Sequence, residues 1–236
     1  MTPANFPQWL HQLAVISLGV SLLCCVVIAA DECRRPQRMW IMNLVWPLTA
    51  LFGGLLWLVA YYAWGLPDPE AQRRRGASFA IGVAVGTSHC GAGCTLGDLI
   101  AEWTAFAVPS FAVWFGWGTL FADKIWAVWI ADFALAFAFG VAFQYFTLQP
   151  MRHLSLGRGL LAALKADTAS ISAWQVGMYG VMALIQFAWF TPQYGGPAPV
   201  NTPEFWFAMQ LAMLAGFTTS YPVNWWLVRW KVKDSM

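Results

Sequence analysis

The chain has 236 residues, of which 59% are hydrophobic and only 10% are charged, and its formal net charge is +2. A soluble domain carries about 25% charged residues, so this composition excludes a soluble globular protein, and the small net charge gives no indication of nucleic acid as a partner. Apolar runs of roughly 20 residues recur along the sequence and predict an all-α, polytopic transmembrane helical bundle. We expect a single integral membrane domain over residues 1–236, with about six or seven spans and the lipid bilayer as its surroundings.

Seven apolar runs predict the spans in chain order. They lie near Pro7–Ala30, Met39–Trp64, Ala77–Leu96, Trp103–Phe121, Ile125–Leu148, Ala169–Phe190 and Glu204–Trp230. The third and fourth runs are divided only by the polar residues of Asp98–Glu102, and treating Cys94–Trp103 as re-entrant gives six spans instead. Pro47 and Pro222 predict kinks in the second and last spans.

Basic residues indicate the orientation of the chain. The segment from Arg152 to Lys165 is predicted to be a basic polar loop, whereas the Pro- and Gly-rich loop Thr191–Pro203 has no basic residue. The positive-inside rule therefore places the first loop and the basic C-terminal tail in the cytoplasm and the second loop outside. The arginine clusters at 34–38 and 73–75 then lie on opposite sides, so one of them violates the rule with either six or seven spans.

The third apolar run contains the segment His-Cys-Gly-Ala-Gly-Cys, followed by two acids. In a helix, Cys90, Cys94, Asp98 and Glu102 recur every four residues and share one face. Thiolate and imidazole ligands suit Cu(I) and Zn(II). We therefore predict a metal site in which Cys90 and Cys94 capture a soft ion and Asp98 accepts charge or a proton. His89 joins it as a third ligand only if the helix is distorted at its glycines.

Two other interpretations of this segment stay open. In the first, the segment is a helix-packing motif, in which small residues allow a neighbouring helix to cross closely and the cysteines only fill space. The small residues are Gly86, Gly91, Ala92, Gly93 and Gly97. Alternatively, Cys90 and Cys94 could cycle as a thiol–disulfide pair, although one helical turn holds their β-carbons too far apart for a relaxed bridge.

Two methionine pairs add to the copper hypothesis. Met178 and Met182 lie one helical turn apart in the sixth span, and Met209 and Met213 repeat this spacing in the seventh. Thioethers favour Cu(I), so the four methionines are candidate weaker ligands that would receive the ion from the thiol site. The alternative is that they only pack in the core or against lipid. A b-type haem is disfavoured because it needs two axial ligands, and the chain offers only His11, His89 and His153.

Polar residues inside the apolar runs are candidate functional groups. Intramembrane acids mark ion or proton pathways by default. Asp98 and Asp132 are therefore expected to face the bundle, where they could relay protons or pair with a cation. The buried amides are expected to form hydrogen bonds between helices.

Several blocks of the sequence resemble a bacterial integral-membrane family catalogued as domain of unknown function 4396. The blocks are Met39–Asn43 with Trp46-Pro47, His89–Asp98, Lys165–Thr168, Trp174–Met178 and Ser220–Trp226. The resemblance implies a multi-pass protein of the bacterial inner membrane, and it brings no established activity or ligand.

The preferred function is membrane binding or transport of a soft transition-metal ion, with copper ahead of zinc. A membrane thiol–disulfide redox protein is one alternative. A non-catalytic accessory subunit is the other, packed against a membrane-protein partner or a second copy of itself. The sequence has no Walker or zincin motif and no nucleophile triad, so ATP hydrolysis and proteolysis are not expected, and the redox alternative is the one that would make the protein an enzyme.

Overall fold

A computed structural model describes residues 4–67, 78–152 and 155–233, without the side chains of residues 149–152. The described chain is helical and has no β-strand, which confirms the predicted all-α fold. Six helices among the described residues are long: α1 (Gln8–Arg34), α2 (Met42–Ala60), α3 (Phe79–Ala107), α5 (Lys124–Arg152), α6 (Leu156–Ala183) and α8 (Pro203–Arg229). Two described helices are short, α4 (Ser110–Trp114) and α7 (Thr191–Tyr194), and π-helical segments extend α2 over Tyr61–Gly65 and α6 over Leu184–Phe190.

Five of the long helices are long and apolar enough to cross a membrane. These candidate spans are Gln8–Arg34, Met42–Gly65, Phe79–Ala107, Lys124–Leu148 and Leu156–Tyr194. The sixth long helix, α8, has 27 residues and packs against α6, α3, α1 and α2. A bundle of this kind fits a polytopic membrane protein.

The division between the predicted third and fourth spans is wrong. Helix α3 continues without interruption from Phe79 to Ala107 and carries both Asp98 and Glu102 in buried positions. A helix satisfies its own backbone hydrogen bonds, so the two acids did not need a loop once the bundle covered them. After α3 come only α4 and a tight turn, in which Gly116 and Gly118 adopt positive φ angles.

The predicted polar loop between Arg152 and Lys165 is also mostly helix. Helix α6 begins at Leu156, well before the expected start at Ala169. Leucines, alanines and Lys165, which are good helix formers, fill the segment between these two positions. In α2 the backbone departs from helical angles at Gly54 (φ 50°) and not at the expected Pro47. The cluster Arg73–Arg75 and His153 lie outside the described residues.

Helices α3 and α5 cross at very short range, and glycines make this possible. A β-carbon on Gly97 would lie 2.6 Å from the backbone nitrogen of Ala136, and one on Gly93 would lie 2.7 Å from the backbone nitrogen of Gly140. The predicted small-residue packing is therefore present at Gly93 and Gly97, whereas Gly86 has open space around it. It holds one face of α3 tightly against α5.

Candidate functional site

The centre of the candidate site is a group of three carboxyl side chains on the two facing helices α3 and α5. Asp98, Glu102 and Asp132 are 1%, 3% and 0% exposed. They lie close enough for their charges to interact. Both carboxyl oxygens of Asp98 and of Asp132, and one of Glu102, have no hydrogen-bond partner among the described residues. The expectation that Asp98 and Asp132 face the bundle is confirmed.

We call Cys90, Cys94, Asp98 and Glu102 the α3 stripe, because they lie at successive helical turns of one continuous helix. Twelve residues separate its ends, which corresponds to about 18 Å along the helix axis. All four side chains are buried. The spacing that the sequence suggested is therefore realised as a continuous polar line inside the bundle.

A cavity of about 410 Å³ leads to the Glu102 end of the stripe. Glu102 and Lys124 line it together with Trp117 and loop residues 197–200. Lys124 interacts electrostatically with Glu102 and donates a hydrogen bond to the carbonyl of Ala105. We call this cavity the vestibule. It connects the loop between α7 and α8 with the carboxyl group.

The Cys90 end of the stripe meets a buried ion pair. The Nζ of Lys233 lies 2.7 Å from Oδ1 of Asp167 and 3.7 Å from Sγ of Cys90, whose thiol lies 3.8 Å from the same carboxyl oxygen. The side chains of Lys233 and Asp167 are fully buried. Burial pulls the pKa of Lys233 down, but Asp167 and Cys90 outweigh this effect, so the pKa lies above the usual lysine value.

The chain reverses at the end of α8 to bring Lys233 inward. Lys231 adopts a left-handed conformation (φ 59°), and the N–H groups of Val232 and Lys233 both donate to the carbonyl of Leu227. This pattern is a left-handed C-terminal helix cap, with a lysine at the position that glycine usually occupies. This inward turn could not be predicted from the sequence, because a lysine just after an apolar helix is typical of an interfacial anchor.

The predicted metal ligands are distributed over several places. His89 is buried and faces α5, with Nδ1 3.5 Å from the hydroxyl of Thr147. The Cys94 sulfur lies 3.8 Å from Nε2 of Gln175, and all five cysteines of the chain are free. The described part of the chain contains no group of three or more His, Cys, Asp or Glu side chains that could hold a metal ion.

The four methionines are buried in the core, and the two pairs have different surroundings. Met178 and Met182 pack within α6 and its neighbours. Met209 and Met213 line a second cavity together with Asp98, and the Met213 sulfur accepts a hydrogen bond of 3.4 Å from the Trp174 indole. The structure therefore brings Asp98, Met209 and Met213 to one cavity, and the two thiols to other contacts.

The amides link the helices around the stripe. The Ser170 hydroxyl on α6 donates a hydrogen bond to the side-chain oxygen of Asn224 on α8, and the Ser220 hydroxyl donates one to the backbone carbonyl of Ser170. Each hydrogen bond is 2.9 Å long. Within the described part of the chain, both side-chain polar atoms of the fully buried Gln144 lack a hydrogen-bond partner, and so does the side-chain oxygen of Gln175. Buried polar groups of this kind are normally satisfied by water or by a ligand, so the surroundings of the stripe are suited to a hydrated path.

Comparison with known proteins gives one finding for this chain. The family model described as domain of unknown function (DUF4396) matches residues 82–233. This range contains the whole α3 stripe, Asp132, Asp167 and Lys233, whereas the blocks Met39–Asn43 and Trp46-Pro47 lie before it. Neither the curated proteins nor the solved structures contain a match.

Proposed function

Since the chain belongs to the DUF4396 family, whose description assigns no activity, we propose from its geometry that it transports a cation across the bacterial inner membrane. The α3 stripe forms the path, and Asp98, Glu102 and Asp132 are the groups that take up the charge. One observation carries this proposal: three buried carboxyl groups on adjacent helices have oxygens without a hydrogen-bond partner in the part of the chain that the structure describes.

Burial of an unpartnered carboxylate is expensive. A charged group removed from water costs many kcal/mol unless it is neutralised, so each of these acids must carry a proton or hold a cation. Intramembrane acids that face a bundle interior are characteristic of proton relays and ion pathways. Protons are therefore the simplest species to move between Glu102, Asp98 and Asp132.

The two ends of the stripe differ in access. The vestibule gives Glu102 a route to the loop side of the bundle, whereas Lys233 and Asp167 close the other end with a buried ion pair. A path that is open on one side and closed on the other is what an alternating-access transporter presents in one of its states.

Proton flux into proteoliposomes tests this function. The vesicles contain a pH-sensitive dye, and a potassium gradient with valinomycin supplies the driving voltage. We expect Asp132→Asn and Asp98→Asn to reduce the flux by about a hundredfold, the lower end of what a positioned proton-transfer group contributes.

The matched control for this experiment is Glu204→Gln. Glu204 is also buried, at 3% exposure, but its carboxylate pairs with His11 at 2.7 Å and does not belong to the acid group. Flux that persists in Asp98→Asn and Asp132→Asn, or that falls equally in Glu204→Gln, contradicts the proposal.

A soft transition-metal ion, copper before zinc, is the second candidate for the transported species. Two buried free thiols, Cys90 and Cys94, lie on the path itself. The ammonium of Lys233 lies 3.7 Å from the Cys90 sulfur and would repel a metal cation there, so Lys233 must withdraw before Cys90 can act as a ligand.

Equilibrium titration with Cu(I) tests this candidate. Cys90→Ser and Cys94→Ser should each nearly abolish binding, because thiolates supply the soft ligation. Lys233→Met should strengthen it, and Cys24→Ser serves as the control. Undiminished affinity in the double Cys90→Ser, Cys94→Ser variant would leave helix packing as the role of the two thiols.

A further inference from the structure

The second cavity, between α1, α2, α3 and α8, has the features of a ligand site. Its volume is about 290 Å³, and apolar side chains form nearly all of its wall. We call it the side cavity; its lining includes Leu18, Leu22, Leu51, Phe52, Trp103, Trp206, Met209 and Met213. Small-molecule sites are concave and mostly apolar with a few placed polar groups, and this volume is near the lower end of their range.

One acid faces this apolar wall without a partner. Asp98 lines the side cavity, is 1% exposed, and receives no hydrogen bond at either carboxyl oxygen from the described residues. An unpaired carboxylate in an apolar site favours a positive ligand, because that ligand supplies the missing charge. A neutral or anionic ligand would leave the carboxylate uncompensated.

Two indole side chains in the side cavity also favour a positively charged ligand. Trp103 and Trp206 both line the side cavity, and their rings stack with centroids 6.0 Å apart and planes 14° apart. Indole faces are the best aromatic partners for organic cations, above all for quaternary ammonium groups. The aromatic pair and the carboxylate therefore select the same class of ligand.

Two of the side chains that line the side cavity are exposed on the outer surface of the bundle. Leu22 on α1 and Trp103 on α3 are 58% and 44% exposed, and they lie on helices that are candidate membrane spans. An amphiphilic ligand dissolved in the bilayer can enter from this side. Met209 and Met213 are adaptable side chains, which suit binding surfaces that accept several shapes.

We propose that the side cavity binds a hydrophobic organic cation, with the ammonium between Asp98 and the indoles of Trp103 and Trp206 and the apolar body against Met209 and Met213. This inference rests on the proposed function, because Asp98 is shared with the α3 stripe. It names the substrate class: a lipophilic amine or quaternary ammonium compound whose binding competes with a proton for Asp98.

Equilibrium binding of radiolabelled benzyltrimethylammonium to the full chain in lipid nanodiscs tests the assignment. Asp98→Asn should weaken binding by about tenfold or more, because it removes the Coulomb attraction of the carboxylate for a cation that has no hydrogen-bond donor. Leu22→Trp, which fills the mouth and keeps the carboxylate, should weaken it as well. Glu204→Gln should bind like the wild type. Neopentylbenzene, the uncharged isostere, should not compete.

The outcomes separate this inference from the proposed function. Absence of benzyltrimethylammonium binding, or equal competition by neopentylbenzene, overturns the ligand assignment; if the proton flux then still depends on Asp132, the transport proposal stands. Binding that depends on Asp98 and Leu22, in a protein without acid-dependent proton flux, supports the side cavity as a cation site and overturns the transport proposal.

Discussion

The buried pair between Lys233 and Asp167 gives the sharpest prediction about stability. Lys233→Met leaves the Asp167 carboxylate in the bundle without its cation, and Asp167→Leu leaves the ammonium without its carboxylate. Both side chains are fully buried, and their charged atoms are 2.7 Å apart. Removing one partner of such a pair costs about 3–5 kcal/mol.

The magnitude can be converted into a melting temperature. For a chain of 150–250 residues, a change of 1 kcal/mol in the free energy of unfolding shifts the midpoint temperature of thermal unfolding by about 2–4 °C. Each single substitution should therefore lower the midpoint by about 6–20 °C. The double variant should recover most of this loss, because an apolar pair of similar volume replaces a buried ion pair at little cost.

Thermal unfolding in nanodiscs, followed by circular dichroism, measures these shifts. The matched control is Lys165→Met, because Lys165 is exposed on a regular part of α6 and has a change expected within about 0.5 kcal/mol. Equal midpoints for Lys233→Met and Lys165→Met would refute the argument. So would a double variant whose loss is the sum of the two single losses, since the residues would then not be coupled.

The remaining predictions concern pH, topology and packing. The pKa of Lys233 is raised in the folded protein. The stability that the Lys233 ammonium contributes should therefore be complete below the ordinary lysine pKa of about 10.4 and should fall only as the pH rises through the higher folded pKa. Thermal unfolding scans between neutral pH and pH 11 measure this loss. A single cysteine at position 195 should be labelled from outside intact cells, whereas one at position 155 should not, and the reverse labelling would invert the orientation. Gly97→Ala should destabilise the protein by about 1–3 kcal/mol, because the new β-carbon would meet the backbone of Ala136. The control Gly86→Ala should be neutral or stabilising, because position 86 has open space around it. Equal effects of the two substitutions would contradict the close crossing of α3 and α5.

The periodicity of the sequence was sufficient to predict the α3 stripe. Cys90, Cys94, Asp98 and Glu102 occupy one face of a helix at any tilt or depth, so a local rule identified them. The same polar residues misled the division into spans, because hydropathy alone treats an acid as the end of a run. What the local pattern omits is that neighbouring helices can cover a polar face.

The partners of the stripe could not be predicted in this way. Lys233 and Asp167 are 66 residues apart, and nothing in their local sequence distinguishes a buried lysine from an interfacial one. Asp132 was identified as an intramembrane acid, but its position beside Asp98 depends on the crossing of α3 and α5. The methionine pairs show the same limit, since one pair lines the side cavity and the other packs in the core.

The separation between Asp167 and Lys233 also has a consequence for synthesis. At about 5–20 residues per second, the ribosome needs roughly 3–13 s to add the 66 residues between the acid and its partner. During that time Asp167 on α6 lacks the counter-ion that it has in the folded bundle. The buried ion pair therefore forms only after α8 has been synthesised, and a chain interrupted between these two residues contains the acid without its ammonium group.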